Sequence, residues 1–276
     1  MGRVEGDRQL MDWVQKPIQG RLPNRNSPFA YGLIAGFLFN EQSGLKTHEF
    51  VNSGTYTLSG NTLPLWFPGG LFFDGGGASN CRINLATLLP FINVLEGTIV
   101  FRIKTGGWSA NPPEVIIAFR VNAANNIELF RTNATLLCKY KAGNVTIQPT
   151  ITLAANTVYT IAFTWSVSND LVACYSDGVF RASVDTLGTW AGSLAVGDLG
   201  LSNSTNAEFE GEVHYLYMYD RALTADEIAW LYREPYIMFD QFPIWLYDIP
   251  VAISAVSFGK RHRNALWTIF KEEGCL

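Results

Sequence analysis

Apolar and polar positions alternate with a period of two along most of this chain, in short runs broken by turns. GTIVFRIKTGG sets Ile99, Phe101 and Ile103 on one face and Val100, Arg102 and Lys104 on the other, the pattern of a half-buried strand. NTVYTIAFTWS aligns Tyr159, Ile161, Phe163 and Trp165 in the same way. VIIAFRVNAANNIELFRT reads as a hairpin that turns around Ala123 to Asn126, and a turn at Ser168 to Asp170 precedes a further strand that ends at Asp177-Gly178, a tight-turn signal. AYGLIAGFLFNEQSG and LWFPGGLFFDGGGAS are apolar runs closed by polar or glycine-rich turns. One stretch, LTADEIAWLYREP, has helical spacing: Thr224 and Glu227 make a capping box, Ile228, Leu231 and Tyr232 share a face, and Pro235 ends it. Strands at a spacing of roughly 8–12 residues predict an all-β sandwich or jelly roll carrying one short helix.

Composition narrows the function. The 276 residues are 48% hydrophobic, 13% aromatic and 16% charged, a globular balance that suits one large β domain with tails. A net charge of -4 argues against a nucleic-acid partner, which needs a basic surface; the single basic cluster, GKRHRNALW, is too short to change that. MGRVEGDRQLMDW lacks the apolar centre of a signal peptide, and no apolar run reaches the roughly 20 residues of a membrane helix. The expectation is a soluble chain without a membrane partner. Cys81, Cys138, Cys174 and Cys275 form no C-x-x-C pair, so no zinc site is expected. Cys138 and Cys174 lie in strand-like runs and read as buried thiols, with a disulfide between them left open.

The stretches GLIAGFLFNEQSG, LFFDGGGAS, NTVYTIAFTWS, LVACYSDGVF and FEGEVHYLYMYDRALTADEIAWLY together resemble the laminin-G-like, concanavalin A-like jelly-roll family, and the opening NRNSPFAYGLIAGFLFNE resembles its version common in tailed-bacteriophage genomes. The closing strand followed by R-A-L-T-A-D-E-I is the most specific part, and the resemblance runs from about Ser27 to Tyr232. It implies two antiparallel sheets with a short helix after the last family strand, and a division into an N-terminal extension (1–27), the jelly roll (28–233) and an apolar C-terminal extension (234–276). It implies binding or adhesion, often of glycans, with calcium in some members and glycoside hydrolysis in a few distant ones. Fold alone selects none of these.

The resemblance also orders the candidate residues. Glu208, Glu210 and Glu212 form an acidic alternation, in which residues two apart on a strand share a face about 6.7 Å apart, close to what a hydrolase's carboxyls require. Against catalysis, the run opens the last family strand, and no Trp accompanies it to hold a sugar. Asp74 reads as a turn residue, and calcium is not supported because too few acids lie near it. His48, His214 and His262 accompany no nucleophile pattern. Asn133, Asn144 and Asn203 match the glycosylation pattern, a coincidence in a chain without a signal peptide. Trp108 and Trp190 stand in polar loops from which an indole can stack on a sugar. In VHYLYMY the family register puts Leu216 and Met218 towards the core and Tyr215 and Tyr217 on the outer face, as a binding platform or a seat for the apolar tail.

The sequence therefore predicts a non-enzymatic binding or assembly module: a phage virion-associated protein whose ligand residues are Trp108, Trp190, Tyr215 and Tyr217. It has no catalytic residues, metal ligands or cofactor. Its partner is a glycan or a virion protein, and residues 234–276 offer a route to a homo-oligomer. The alternatives are a purely structural virion subunit docking through its tails, and a glycoside hydrolase using Glu208 to Glu212.

Overall fold

The computed structural model describes residues 16–75, 80–107, 113–202 and 207–239. The chain enters through short strands: β1 (Leu33–Phe37), β2 (Lys46–His48), β3 (Thr55–Ser59), β4 (Leu65–Phe67), β5 (Gly70–Phe73) and β6 (Arg82–Asn84). Longer ones follow: β7 (Glu96–Thr105), β8 (Glu114–Asn122), β9 (Asn125–Thr132), β10 (Thr135–Ala142), β11 (Val145–Ile147), β12 (Thr150–Thr152), β13 (Val158–Ser166) and β14 (Leu171–Ser176). The remainder are β15 (Val179–Asp185), β16 (Val196–Leu199), β17 (Leu201–Ser202), β18 (Ala207–Glu208), β19 (Gly211–Tyr219) and the helix α1 (Ala225–Arg233). The first sheet runs β15-β14-β13-β7-β19-β5-β4, with β1 also on β19; the second runs β11-β10-β9-β8-β16-β6-β3-β2, with β12 on β10. This is the expected two-sheet antiparallel jelly-roll sandwich, with its helix after the last strand.

The alternation builds the core between the sheets. Ile99, Phe101 and Ile103 of β7 and Ile161, Phe163 and Trp165 of β13 face Ile127 and Leu129 of β9 and Leu136, Cys138 and Tyr140 of β10 in one buried cluster. Asp177 and Gly178 join β14 to β15 with φ of 54° and 74°, the left-handed pair that a two-residue hairpin turn requires. The capping box forms as expected: the Glu227 backbone N–H donates to the Thr224 hydroxyl at 3.3 Å, and the Thr224 N–H donates to the Glu227 carboxylate at 2.9 Å. That carboxylate also takes two bonds from Arg221, tying the helix start to the end of β19. Cys81, Cys138 and Cys174 are free and buried. No helix among the described residues is long and apolar enough to cross a membrane.

β19 departs from strict alternation at one residue. Val213 lies opposite Ile103 and Tyr215 opposite Arg102, so His214 is an extra residue, a β-bulge. The bulge reverses the faces that follow it. Val213, Leu216 and Met218 enter the inter-sheet core, while Tyr215, Tyr217 and Tyr219 point outward into a second buried cluster. The His214 imidazole donates from Nδ1 to the Gly69 carbonyl at 3.1 Å and packs edge-on against Phe67. Lys16 donates to the carbonyls of Leu38, Gly69 and His214, so the segment before Ser27 is pinned at the same place.

The chain itself covers the tyrosines. Phe29, Phe50, Ile228 and Leu231 of α1, and the turn Ile237–Phe239 make up most of the cover. The Tyr217 hydroxyl donates to the Pro235 carbonyl and the Tyr219 hydroxyl to that of Phe29, each at 3.0 Å, which satisfies two groups that would be costly to bury alone. Asn24 N–H and Arg21 bond to the carbonyls of Met238 and Phe239, so the start and the end of the described chain meet over this face. Residues 240–276, which carry the rest of the expected docking segment, lie outside the described residues.

Burial, with the cations of Lys16, Arg102 and Lys104 facing it, lowers the His214 pKa from its ordinary value to about 3. The unfolded chain takes up a proton near pH 6.5 that the folded chain refuses. The stability from neutral His214 is therefore complete above about pH 6.5 and drains away as pH falls towards 3, at up to about 1.4 kcal/mol per pH unit. Urea unfolding across pH 7 to 4 is expected to show this slope, and His214→Gln to flatten it.

Candidate functional site

Of the residues predicted to meet a ligand, Trp108 lies outside the described residues. Trp190 is half-buried against the Tyr140 ring, 5.6 Å between centroids, and its Nε1–H donates to the Gly192 carbonyl at 3.1 Å; it plugs an end of the core. Tyr215 and Tyr217 are 1% and 0% exposed. They were correctly placed on the outer face, but the platform reading is corrected: their rings stack on each other at 4.7 Å under the chain's own cover.

The acidic run is dismantled by the fold. Glu208 ends β18, which joins the second sheet beside Val115, whereas Glu212 belongs to β19 in the first sheet; the run therefore turns a corner and does not share one strand face. Glu208 is buried and accepts from the Asn80 backbone N–H at 2.8 Å. The Glu210 N–H donates to Glu114, which is locked to Arg131 by a pair of 2.5 Å bonds. Glu212 pairs with Lys104 at 2.8 Å. Asp74 follows β5 beside the Cys81 thiol. Among the described residues no three His, Cys, Asp or Glu side chains gather as a metal site.

The outer face of the second sheet is different. Where the first sheet is covered, β8, β9 and β10 carry a lattice of polar side chains around a hollow of about 520 Å³ lined by Arg120, Asn126, Glu128, Phe130 and Lys139 among others. Register brings them together: Lys139 and Ala118 flank Glu128 on the neighbouring strands, and Arg120 lies opposite Asn126. The Glu128 carboxylate accepts from Arg120 Nε and, at 3.0 Å, from Lys139 Nζ. Lys139 also stands 5.9 Å from the centroid of the Phe130 ring. Asn126 is buried and donates to the carbonyls of Asn122 and Ala123, while its amide oxygen has no hydrogen-bond partner among the described residues. On the adjoining strand β16, Asp198 lies opposite Ala118, 1% exposed. Burial raises its carboxyl pKa, against the opposing pull of Arg82 and Arg120.

None of these residues was singled out from the sequence. The available signal was the alternation Asn126-x-Glu128-x-Phe130 followed by Lys139-x-Lys141, polar positions where an outward sheet face recurs on two adjacent strands. Chemically the arrangement offers fixed cationic donors and an aromatic ring. That is a set suited to hydroxyl- and carboxylate-bearing ligands.

Comparison with known proteins bears on this. A family model described as the concanavalin A-like lectin/glucanases superfamily matches residues 77–229. Among curated proteins none matches the sequence. Of the solved structures with a similar fold, a mutant of Trypanosoma rangeli sialidase displaying trans-sialidase activity aligns over 77% of this chain and 34% of its own, with a TM-score of 0.59 and 16% identity. The binding domain of botulinum neurotoxin serotype D/C aligns over 75% of this chain and 53% of its own, with a TM-score of 0.58 and 13% identity. The CBM40 of Ruminococcus gnavus IT-sialidase, bound to α2,3-sialyllactose, aligns over 49% of this chain and 81% of its own, with a TM-score of 0.43 and 18% identity. The chain thus spans about a third of the sialidase and half of the toxin domain. These similarities correct the expected virion-associated assembly role, and with it the purely structural virion subunit: the sandwich is shared with sialidases.

The raised carboxyl of Asp198 has a measurable consequence. Its stabilising, protonated form is fully present below the unfolded value near 3.9, and that contribution is lost as pH rises through the folded value. Asp198→Asn is therefore expected to keep or slightly raise the melting temperature at pH 7 and to remove this residue's part of the acid-range slope. A fall equivalent to more than about 2 kcal/mol would show instead that ionised Asp198 holds Arg82 and Arg120 in place.

Proposed function

We propose, from the premise that the chain belongs to the concanavalin A-like lectin/glucanase superfamily, that it is a glycan-binding module whose ligand lies in the hollow over β8, β9 and β10. The observation that carries this reading is the Arg120–Glu128–Lys139 lattice, set beside the Phe130 ring on an outward sheet face. Paired charges withdrawn from water stabilise a fold weakly at best, so their concentration here favours recognition over folding. Held by Glu128, the Arg120 and Lys139 groups are oriented before a ligand arrives, which lowers the ordering cost of binding. A sugar ring presents hydroxyls to the cations and a C–H face to Phe130.

Binding here proceeds without bond cleavage. A hydrolase needs a proton-donating carboxyl within reach of the glycosidic oxygen. The raised carboxyl nearest this face, Asp198, is 1% exposed, and Glu128 is engaged by two cations.

A glycan array probed with the full chain tests the reading. Arg120→Ala, Lys139→Ala and Phe130→Ala are each expected to weaken the strongest signal roughly tenfold or more, with unchanged circular dichroism, while Trp190→Phe leaves it in place. No reducing sugar should be released from the bound glycan. Binding that survives all three alanine variants places the ligand elsewhere, and release of sugar makes the chain an enzyme.

A further inference from the structure

Cys138 and Cys174 come from opposite sheets yet converge on one spot. Cys138 lies on β10 and Cys174 on β14, both 0% exposed in the inter-sheet core. The Cys138 N–H donates to the Pro149 carbonyl at 3.0 Å, and its neighbour Leu137 pairs with Thr150. The Cys174 thiol reaches the Thr150 carbonyl at 3.9 Å and the Ala182 carbonyl at 3.5 Å. Each thiol shifts the pKa of the other, and β10 and β14 carry Cα pairs within 8 Å of each other. Sheets packed face to face usually stand about 10 Å apart, whereas a disulfide needs Cα atoms about 4.4–6.8 Å apart. β10 and β14 thus approach each other more closely than packed sheets usually stand.

We propose that Cys138 and Cys174 are a reactive pair that closes an inter-sheet disulfide when the chain meets a hydroperoxide. A hollow of about 470 Å³ lined by Thr150, Thr152, Tyr159, Ser176 and Arg181 opens at the seam beside β14, and Thr150 joins it to the Cys174 thiol. The Cys174 thiol, which reaches Thr150 on the lining of that hollow, is the sulfur placed to react first; its neighbour Cys138 lowers its pKa, while burial raises that of Cys138. Its thiolate attacks one peroxide oxygen, the O–O bond breaks, and the departing hydroxide takes up the thiol's proton as water. The resulting sulfenic acid is attacked by the Cys138 sulfur; the S–O bond breaks, the S–S bond forms, and the Cys138 proton leaves with the hydroxyl as a second water. The two thiols are oxidised by two electrons, and the peroxide is reduced by two. Lys139 follows Cys138 directly on β10, so the bond anchors the strand that supplies one wall of the outer hollow.

The test is peroxide treatment of the full chain, followed by blocking of free thiols in denaturant and peptide mapping without reductant. The expected product joins the Cys138 and Cys174 peptides and leaves Cys81 reduced. The melting temperature is expected to rise by roughly 5–15 °C and to return on treatment with dithiothreitol. Cys138→Ala should give neither the linked peptide nor the rise. Mapping of the unsubstituted chain decides the matter even if that variant folds poorly. Sulfinic acid at Cys174 beside a reduced Cys138, or a bond from either residue to Cys81 or Cys275, overturns the proposal.

Discussion

The arrangement depends on one extra residue in β19. Without the bulge at His214, strict alternation from Val213 would turn Tyr215, Tyr217 and Tyr219 into the inter-sheet core and put Leu216 and Met218 outside. The core between the sheets is filled by aliphatic and aromatic side chains and has little to offer three hydroxyls. The outer face supplies backbone carbonyls at Pro235 and Phe29. The bulge and the covering segments are therefore one arrangement: the first makes an aromatic outer face, and the second gives it apolar contact and acceptors. The bulge is in turn fixed by the Gly69 carbonyl, which receives both the His214 ring and the Lys16 ammonium.

This constraint makes the two sheets unequal. The first spends its outer face on internal packing, with α1 and the turn at Ile237–Phe239 laid over it. The second keeps a hollowed outer face, where Arg120, Glu128 and Lys139 hold one another in place. Of the two outer faces among the described residues, the hollowed one is the face that carries charge. The buried Glu114–Arg131 pair at the end of the same sheet does a different job. It closes the corner where β18 passes into β19, so the acids of the Glu208–Glu212 stretch become parts of that corner.

Much of the fold was legible because it follows from local rules. The period-two runs of β7 and β13, the Asp177-Gly178 turn and the Thr224–Glu227 box each fix structure within a few residues. The outward direction of Tyr215 and Tyr217 was legible only through family register, since alternation alone cannot reveal a bulge. The candidate site was not legible. Arg120, Glu128 and Lys139 lie on three strands, and what makes them a site is their cross-strand register, a property of pairing rather than of any short motif. Tyrosines and tryptophans drew attention because they are large, but size fits a side chain for the core as readily as for a ligand. Tyr215, Tyr217 and Trp190 went to packing.

The most direct test is a two-dimensional amide NMR titration of the isotope-labelled full chain with the glycan it binds best. The account predicts shift changes concentrated on β8, β9 and β10, with the Arg120, Asn126 and Lys139 resonances moving most, and no change across the tyrosines of β19. Changes centred on β19, α1 and the turn at Ile237–Phe239, with β8 to β10 silent, would contradict it.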